Sequence, residues 1–474
     1  MPHFKHPRFS SGTGYSPRVS KWLGHGHLAE EGKVTHWKTQ YRLRHNWSKG
    51  ICRVSEVEVA HLSQPPILIK LHSGLVFTAN KENGLRAWAT KHPKTPLASI
   101  SFSNIDDTPT ALSTAQESTS SLIEVTVGFE NGRYDLYDLD VTRAEFSLRC
   151  SHTASPAASI TAIASSPPYL LTVTHHKVLS LYKVQRSTSP TEPASESPHL
   201  LVSLVANNLF APMSLSLRYS ASEVVASIAY SFFHISCGWS IGIQELRFRP
   251  DGEHLGSQLA TTVTSQHGES NMPMMVDMDN ATKRSSGVIH NALLPSFLSN
   301  PSIHHNDPPT SLSYSHPYLL TSHRDNTLTM YLVVSSLDTL LIKGARRLWG
   351  HTSSVANVQV SDRGKAVSVS PRGNEIRIWE LEKVIASPSS SRTPSKNESS
   401  VRLSPAKPAR ENNHNSYTTL GAVNWGRQRL RMESEDVPAE VLDKQGWVGF
   451  DEEQVVVLRD VGHGTQLLEC YDFT

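Results

Sequence analysis

The 24 histidines are the first place to look for chemistry, because imidazole is both a metal ligand and a general base near neutral pH. They pair at His175-His176, at His304-His305 and at His25 with His27, yet no cysteine or carboxylate accompanies any pair at a metal-site spacing. No metal and no cofactor is therefore expected. The sequence also lacks G-x-S-x-G, H-E-x-x-H and a phosphate-binding glycine loop, so the chain is read as a non-enzyme. Cys52, Cys150, Cys237 and Cys470 stand singly, with no C-x-x-C. That excludes a zinc site and a disulfide framework, makes them core thiols, and points to a reducing compartment, the cytoplasm and/or nucleus. Ser189-Pro190, Ser387-Pro388, Thr393-Pro394 and Ser404-Pro405 are the remaining chemical candidates. Proline-directed phosphorylation would add negative charge near Arg392, Lys396 and Arg402, although composition alone explains these steps equally well.

One polar constellation has a structural use. In RLWGHTSSVANVQVSDRGKAVSVSPRGNEIRIWEL (347–381), His351, a hydroxyl at Ser368 and the closing Trp379 are spaced to share a buried hydrogen-bond network. Gly373 stands where a turn aspartate would complete it, so the network is expected to be incomplete. Asp325 holds that place in the preceding unit, where Tyr331 replaces the tryptophan. His351, Ser368, Trp379, Asp325 and Tyr331 are all read as structural.

The elements around these residues are short strands. Within 347–381, alternation puts Ala356, Val358 and Val360 on one sheet face and Asn357 and Gln359 on the other. Related units close at Trp88, Tyr137, Tyr182, Gln244, Tyr331 and Tyr471 besides Trp379, about 45–50 residues apart where no insertion intervenes. The Ser-, Pro- and Asn-rich stretches 185–199, 262–310 and 386–417 cannot bury enough apolar surface to order themselves and read as disordered loops between units. The pattern predicts an all-β fold, a seven-bladed WD-repeat-like β-propeller over 51–474, with six or eight blades also compatible. Residues 1–35 read as a disordered tail without the apolar core of a signal peptide. The alternating segment 51–59 is a spare strand, expected to complete the last blade beside 446–474 so that the ring has no open edge.

Composition limits the partners. Forty-five Lys and Arg against 43 Asp and Glu give a formal charge of +2, so no global field draws the chain to nucleic acid or membrane, and no apolar run is long enough to span a bilayer. Recognition must be local. The basic-aromatic arm at 36–50 is the candidate partner-binding segment, with Trp37, Tyr41, Arg42, Arg44 and Trp47 as its residues. A protein partner is favoured over RNA there, because arms that pack aromatic side chains against a domain are the commoner use.

The arm HWKTQYRLRHNWSKG (36–50), the repeats, GWSIGIQEL (238–246), GWVGFDEEQVVVL and the terminal YDFT together resemble fungal proteins that combine an F-box with WD-like repeats. The resemblance implies a substrate receptor of a Skp–cullin ubiquitin ligase, with the F-box on the Skp adaptor and the propeller presenting a substrate. Residues 1–35 show neither the Leu-Pro start nor the periodic Leu and Ile of an F-box, so the chain reads either as a truncated relative or as a propeller that has lost Skp binding. The competing class is a WD-repeat scaffold of a multi-subunit complex unrelated to ubiquitin.

Overall fold

The computed structural model describes residues 37–474 except 62–65, 92–94, 103–106, 118–120, 154–157, 185–197, 207–209, 220–221, 236, 264–274, 278–302, 387–399, 406–445 and 463–464. Helix α1 (Trp37–Lys49) comes first and a second short helix, α2 (Leu381–Ala386), follows the sixth unit. Nearly everything else is antiparallel sheet. Among the described residues no helix is long and apolar enough to cross a membrane.

Seven sheets form the ring. Blade 1 holds Leu68–His72, Leu75–Asn80, Gly84–Ala89 and Ala98–Ile100, from inner to outer strand. Blade 2 holds Pro109–Gln116, Leu122–Phe129, Arg133–Asp140 and Glu145–Thr153. Blade 3 holds Ile160–Ser166, Tyr169–Thr174, Val178–Lys183 and His199–Ala206, with Met275–Asp277 added outside. Blade 4 has the longest strands, in Phe210–Tyr219, Val224–His234, Gly238–Phe248 and His254–Thr261. Blade 5 comprises Ser311–Ser315, Tyr318–Ser322, Thr327–Ser335 and Leu340–Trp349. Blade 6 comprises Asn357–Val360, Lys365–Val369, Ile376–Glu380 and Ser400–Arg402. The protein is thus a seven-bladed β-propeller, and the inner strands of neighbouring blades lie against one another all the way round.

Blade 7 is built from both ends of the chain. Val448–Phe450, Gln454–Gly462 and Thr465–Asp472 supply three strands, and the N-terminal strand Ile51–His61 pairs antiparallel with the last of them, Arg53 opposite Asp472 and His61 opposite Thr465. The spare strand therefore sits where the sequence placed it. Its outer edge is covered in turn by Ser404–Pro405, with Ile51 opposite Ser404.

Two insertions are more ordered than composition suggested. Within 386–417, Ser400–Arg402 is the outer strand of blade 6 and Ser404–Pro405 edges blade 7. Within 262–310, Met275–Asp277 pairs with the outer strand of blade 3, and His305 forms a parallel bridge to Gly238. Exposed strand edges recruit these polar segments, because backbone pairing does not need apolar side chains. Ser404 accordingly lies in a sheet, whereas Ser189, Ser387, Thr393, the 1–35 tail, His25 and His27 fall outside the described residues.

Removing 446–474 deletes three of the four strands that close blade 7. The expected result is loss of a single cooperative thermal transition, checked by calorimetry against the full chain.

Candidate partner-binding surfaces

Burial of polar groups dictates the interior chemistry of the blades. In blade 6, Trp379 Nε1 donates to Ser368 Oγ at 2.8 Å, and Ser368 Oγ lies 2.6 Å from His351 Nε2. The fourth member expected to be missing is present. Glu375, two residues beyond Gly373, brings Oε2 to 3.5 Å from His351 Nδ1 and accepts hydrogen bonds from the Thr352 amide and hydroxyl, both at 2.9 Å. Gly373 is free to turn at φ +72°, and the carboxylate enters from the start of the next strand. Burial pushes His351 down to about 4, so the ring is neutral. Burial alone would raise the Glu375 carboxyl, but Thr352, His351 and Arg377 hold it at about 2.

The other closing residues use the same place differently. Trp88 Nε1 donates to Thr78 Oγ1 at 3.0 Å. Tyr137 and Tyr471 stand opposite strands that carry Val127 and Val457 there, and their hydroxyls donate instead to Asp135 (3.2 Å) and Glu469 (2.6 Å) on their own strands. Each carboxylate is paired in turn with an arginine, Arg133 or Arg459. The signal is a carboxylate two residues before the closing tyrosine, which escaped the sequence reading. Tyr182 is fully buried against Tyr134 and His152, and Tyr331 is buried against blade 4. Gln244 bonds Ser257 within blade 4 at 2.8 Å. All of these closing side chains are buried, and Tyr331 also lines a small cleft with Thr262, Ile342 and Lys343.

Blade 5 buries a second histidine arrangement. His323 and His305 stack with centroids 3.9 Å apart and planes 4° from parallel. Their Nε2 atoms meet Thr321 Oγ1 at 2.9 Å and Thr329 Oγ1 at 3.2 Å. Burial pushes His305 down to about 4 and His323 to about 3. Asp325 is not part of a blade 6-like network. It caps its own turn, accepting from the Thr327 amide (3.2 Å) and hydroxyl (2.6 Å), and approaches Arg347 at 3.8 Å. No three His, Cys, Asp or Glu side chains converge as a metal site among the described residues.

The arm is an α-helix with two different faces. Leu43 and Trp47 turn inward and join Val367, Ile378, Val455, Val457 and Phe473 between blades 6 and 7. Trp47 stacks on Phe473 at 4.0 Å, donates through Nε1 to the Glu452 carbonyl at 2.9 Å, and receives the Lys365 ammonium at 3.8 Å from its ring centroid. Asn46 Nδ2 donates to the Phe473 carbonyl at 2.8 Å. Burial pushes Lys365 down to about 7, against the pull of Glu380. Trp47, read from sequence as a partner contact, is thus a core residue at 1% exposure, because its apolar ring fills the seam between two blades. Arg44 is half-buried beside it, whereas Trp37, Tyr41 and Arg42 face outward.

A further surface was not anticipated as a site. The hairpin between Val224–His234 and Gly238–Phe248 carries Phe233 and Trp239 in an edge-to-face pair, centroids 5.8 Å apart, with Ile235 exposed at its turn. The Trp239 amide donates to the His305 carbonyl at 2.9 Å. Arg347 reaches the His304 carbonyl and lies over Trp349, which is 62% exposed. An aromatic patch thus joins blades 4 and 5. The run FFHISCGW (232–239), with aromatic residues on both sides of a hairpin turn, was the available signal.

Trp47→Ala should cost about 3–5 kcal/mol of unfolding free energy, as expected for an aromatic side chain removed from a packed seam, while Trp37→Ala should stay within about 0.5 kcal/mol. Denaturant titration checks both. His305, His323 and His351 also fix a pH dependence. Unfolded, each imidazole titrates near 6.5; folded, all three lie at about 4 or below. Below pH 6.5 the unfolded chain binds more protons, so stability should fall as pH drops from 6.5 to 4. Urea midpoints across that window are the measurement, and a midpoint that rises on acidification contradicts the assignment.

Comparison with known proteins bears on the whole ring. A stretch of 83 residues is 35% identical to F-box protein pof12 of Schizosaccharomyces pombe, covering 17% of this chain and 19% of that protein. A crystal structure of the computationally designed Ika8 protein aligns over 67% of this chain and 84% of its own at 16% identity, with a TM-score of 0.37, too loose to inform the blade count. The family model described as the F-box protein pof12 beta-propeller matches residues 52–474, from the strand that closes blade 7 to the final residue. The chain belongs to that family of F-box-associated β-propellers.

Proposed function

We propose that this protein is a non-catalytic substrate receptor of a Skp–cullin–F-box ubiquitin ligase, working in the cytoplasm and/or nucleus. The observation that carries the reading is the seating of α1. A receptor must hold its adaptor-binding end at a fixed position relative to the surface that presents the substrate, and a helix pinned through Trp47 and Asn46 to Phe473 does this. Family membership supplies the link to F-box proteins. The substrate-presenting surface in this reading is the patch around Phe233, Trp239 and Trp349, since exposed aromatic residues beside an arginine are the usual anchors of a protein interface. Neither a cofactor nor a catalytic step is assigned to the chain.

Co-expression with the Skp adaptor and the N-terminal part of a cullin tests it. A stoichiometric complex on gel filtration is the expected outcome. A chain that instead co-purifies from cells in a stable assembly without Skp or cullin would make it a ubiquitin-independent scaffold.

A further inference from the structure

The outward face of α1 has a composition that its inward packing does not explain. A helix turns by about 100° per residue, so Trp37, Tyr41 and His45 fall in one row. Lys38, Arg42 and Lys49 fall in the row beside it, and both rows point away from the side that carries Leu43 and Trp47. Trp37 is 63% and Tyr41 74% exposed, and Tyr41 stacks with His45 at 6.4 Å. The helix sequence WKTQYRLRHNWSK contains no acidic residue. The propeller does not neutralise the cationic row either. In the turn beneath Trp47, Glu452 is paired with Arg363, Glu453 approaches Lys91 at 3.9 Å, and Asp451 accepts its own turn amides. Lys38, Arg42 and Lys49 have no acidic partner among the described residues.

Large exposed aromatic rings beside unneutralised cations are complementary to apolar side chains beside carboxylates. We propose that this face docks an acidic segment of a protein partner, one that sets carboxylates against Lys38, Arg42 and Lys49 and apolar side chains against Trp37 and Tyr41. A single-stranded nucleic acid fits less well. Three cations along about 18 Å of helix neutralise few phosphates. The surface lies apart from the Phe233–Trp349 patch and is defined by the exposure and charge of α1 alone, so it stands whether or not the chain serves a ubiquitin ligase.

The full chain can be tested with a fluorescein-labelled peptide of about 14 residues, matched to the helix length, carrying Glu and Leu in adjacent helical rows. Anisotropy should show saturable binding with a Kd of roughly 10–100 µM. The double variant Trp37→Ala/Tyr41→Ala should weaken it about tenfold or more. Lys38→Glu/Arg42→Glu should abolish it and bring binding to the same peptide with Lys in place of Glu. Every altered side chain is exposed, so unchanged melting midpoints separate lost docking from lost folding. Absence of saturation, equal binding by the variants, or tighter binding of an oligouridylate than of the acidic peptide overturns the proposal.

Discussion

The pairing of Ile51–His61 with Thr465–Asp472 is the interaction on which the rest of the structure depends. A row of sheets bent into a ring has two ends, and each would expose unpaired amides and carbonyls if the ends did not meet. Here the first strand of the ring lies on the last blade, so opening the ring requires breaking the antiparallel ladder that runs from Arg53 opposite Asp472 to His61 opposite Thr465, in addition to the seams between blades. Inner-strand side chains stitch those seams. Backbone amides of Ser165, Tyr314, Val360 and Phe450 donate to Ser113, Ser214, Ser313 and Gln359 of the preceding blades, at 3.1–3.2 Å. Closure makes every seam part of one cooperative unit.

Helix α1 inherits its position from that closure. It leads directly into the closing strand at Ile51 and rests on Phe473, which follows the strand paired with it. Gly50 connects the two at φ +66°, where a Cβ would meet the Arg402 carbonyl oxygen at 2.9 Å. The turn therefore requires glycine both for its conformation and for its space. The two terminal segments that set this chain apart from a generic propeller, the arm and YDFT, are in direct contact.

Inside the blades the same constraint is met in three ways. A buried indole or phenol is stabilised by a hydrogen-bond partner for its polar atom. Trp88 and Trp379 find a hydroxyl on the neighbouring strand, Tyr137 and Tyr471 find a carboxylate on their own, and blade 6 extends the chain through a neutral histidine to Glu375. The carboxylates are tolerated in the interior because Arg133, Arg459 or Arg377 offsets each charge. Four divergent closing residues, Trp88, Tyr137, Trp379 and Tyr471, thus each give their polar end a partner, two on the neighbouring strand and two on their own.

By itself the sequence determined the strand alternation, the turn glycines, the closing aromatic residues and the role of 51–59, because these depend on local periodicity and on the need to leave no open edge. It also marked the arm at 36–50 as basic and aromatic in composition. Which face of the arm was free required the tertiary structure, since Trp37 and Trp47 are the same residue type and only the seam between blades 6 and 7 distinguishes them. Glu375 as the missing carboxylate, the stacking of His305 on His323, and the recruitment of 400–405 to two strand edges share that cause. Each joins residues from separate turns or strands, and no local pattern encodes a partner that arrives only when the ring is folded.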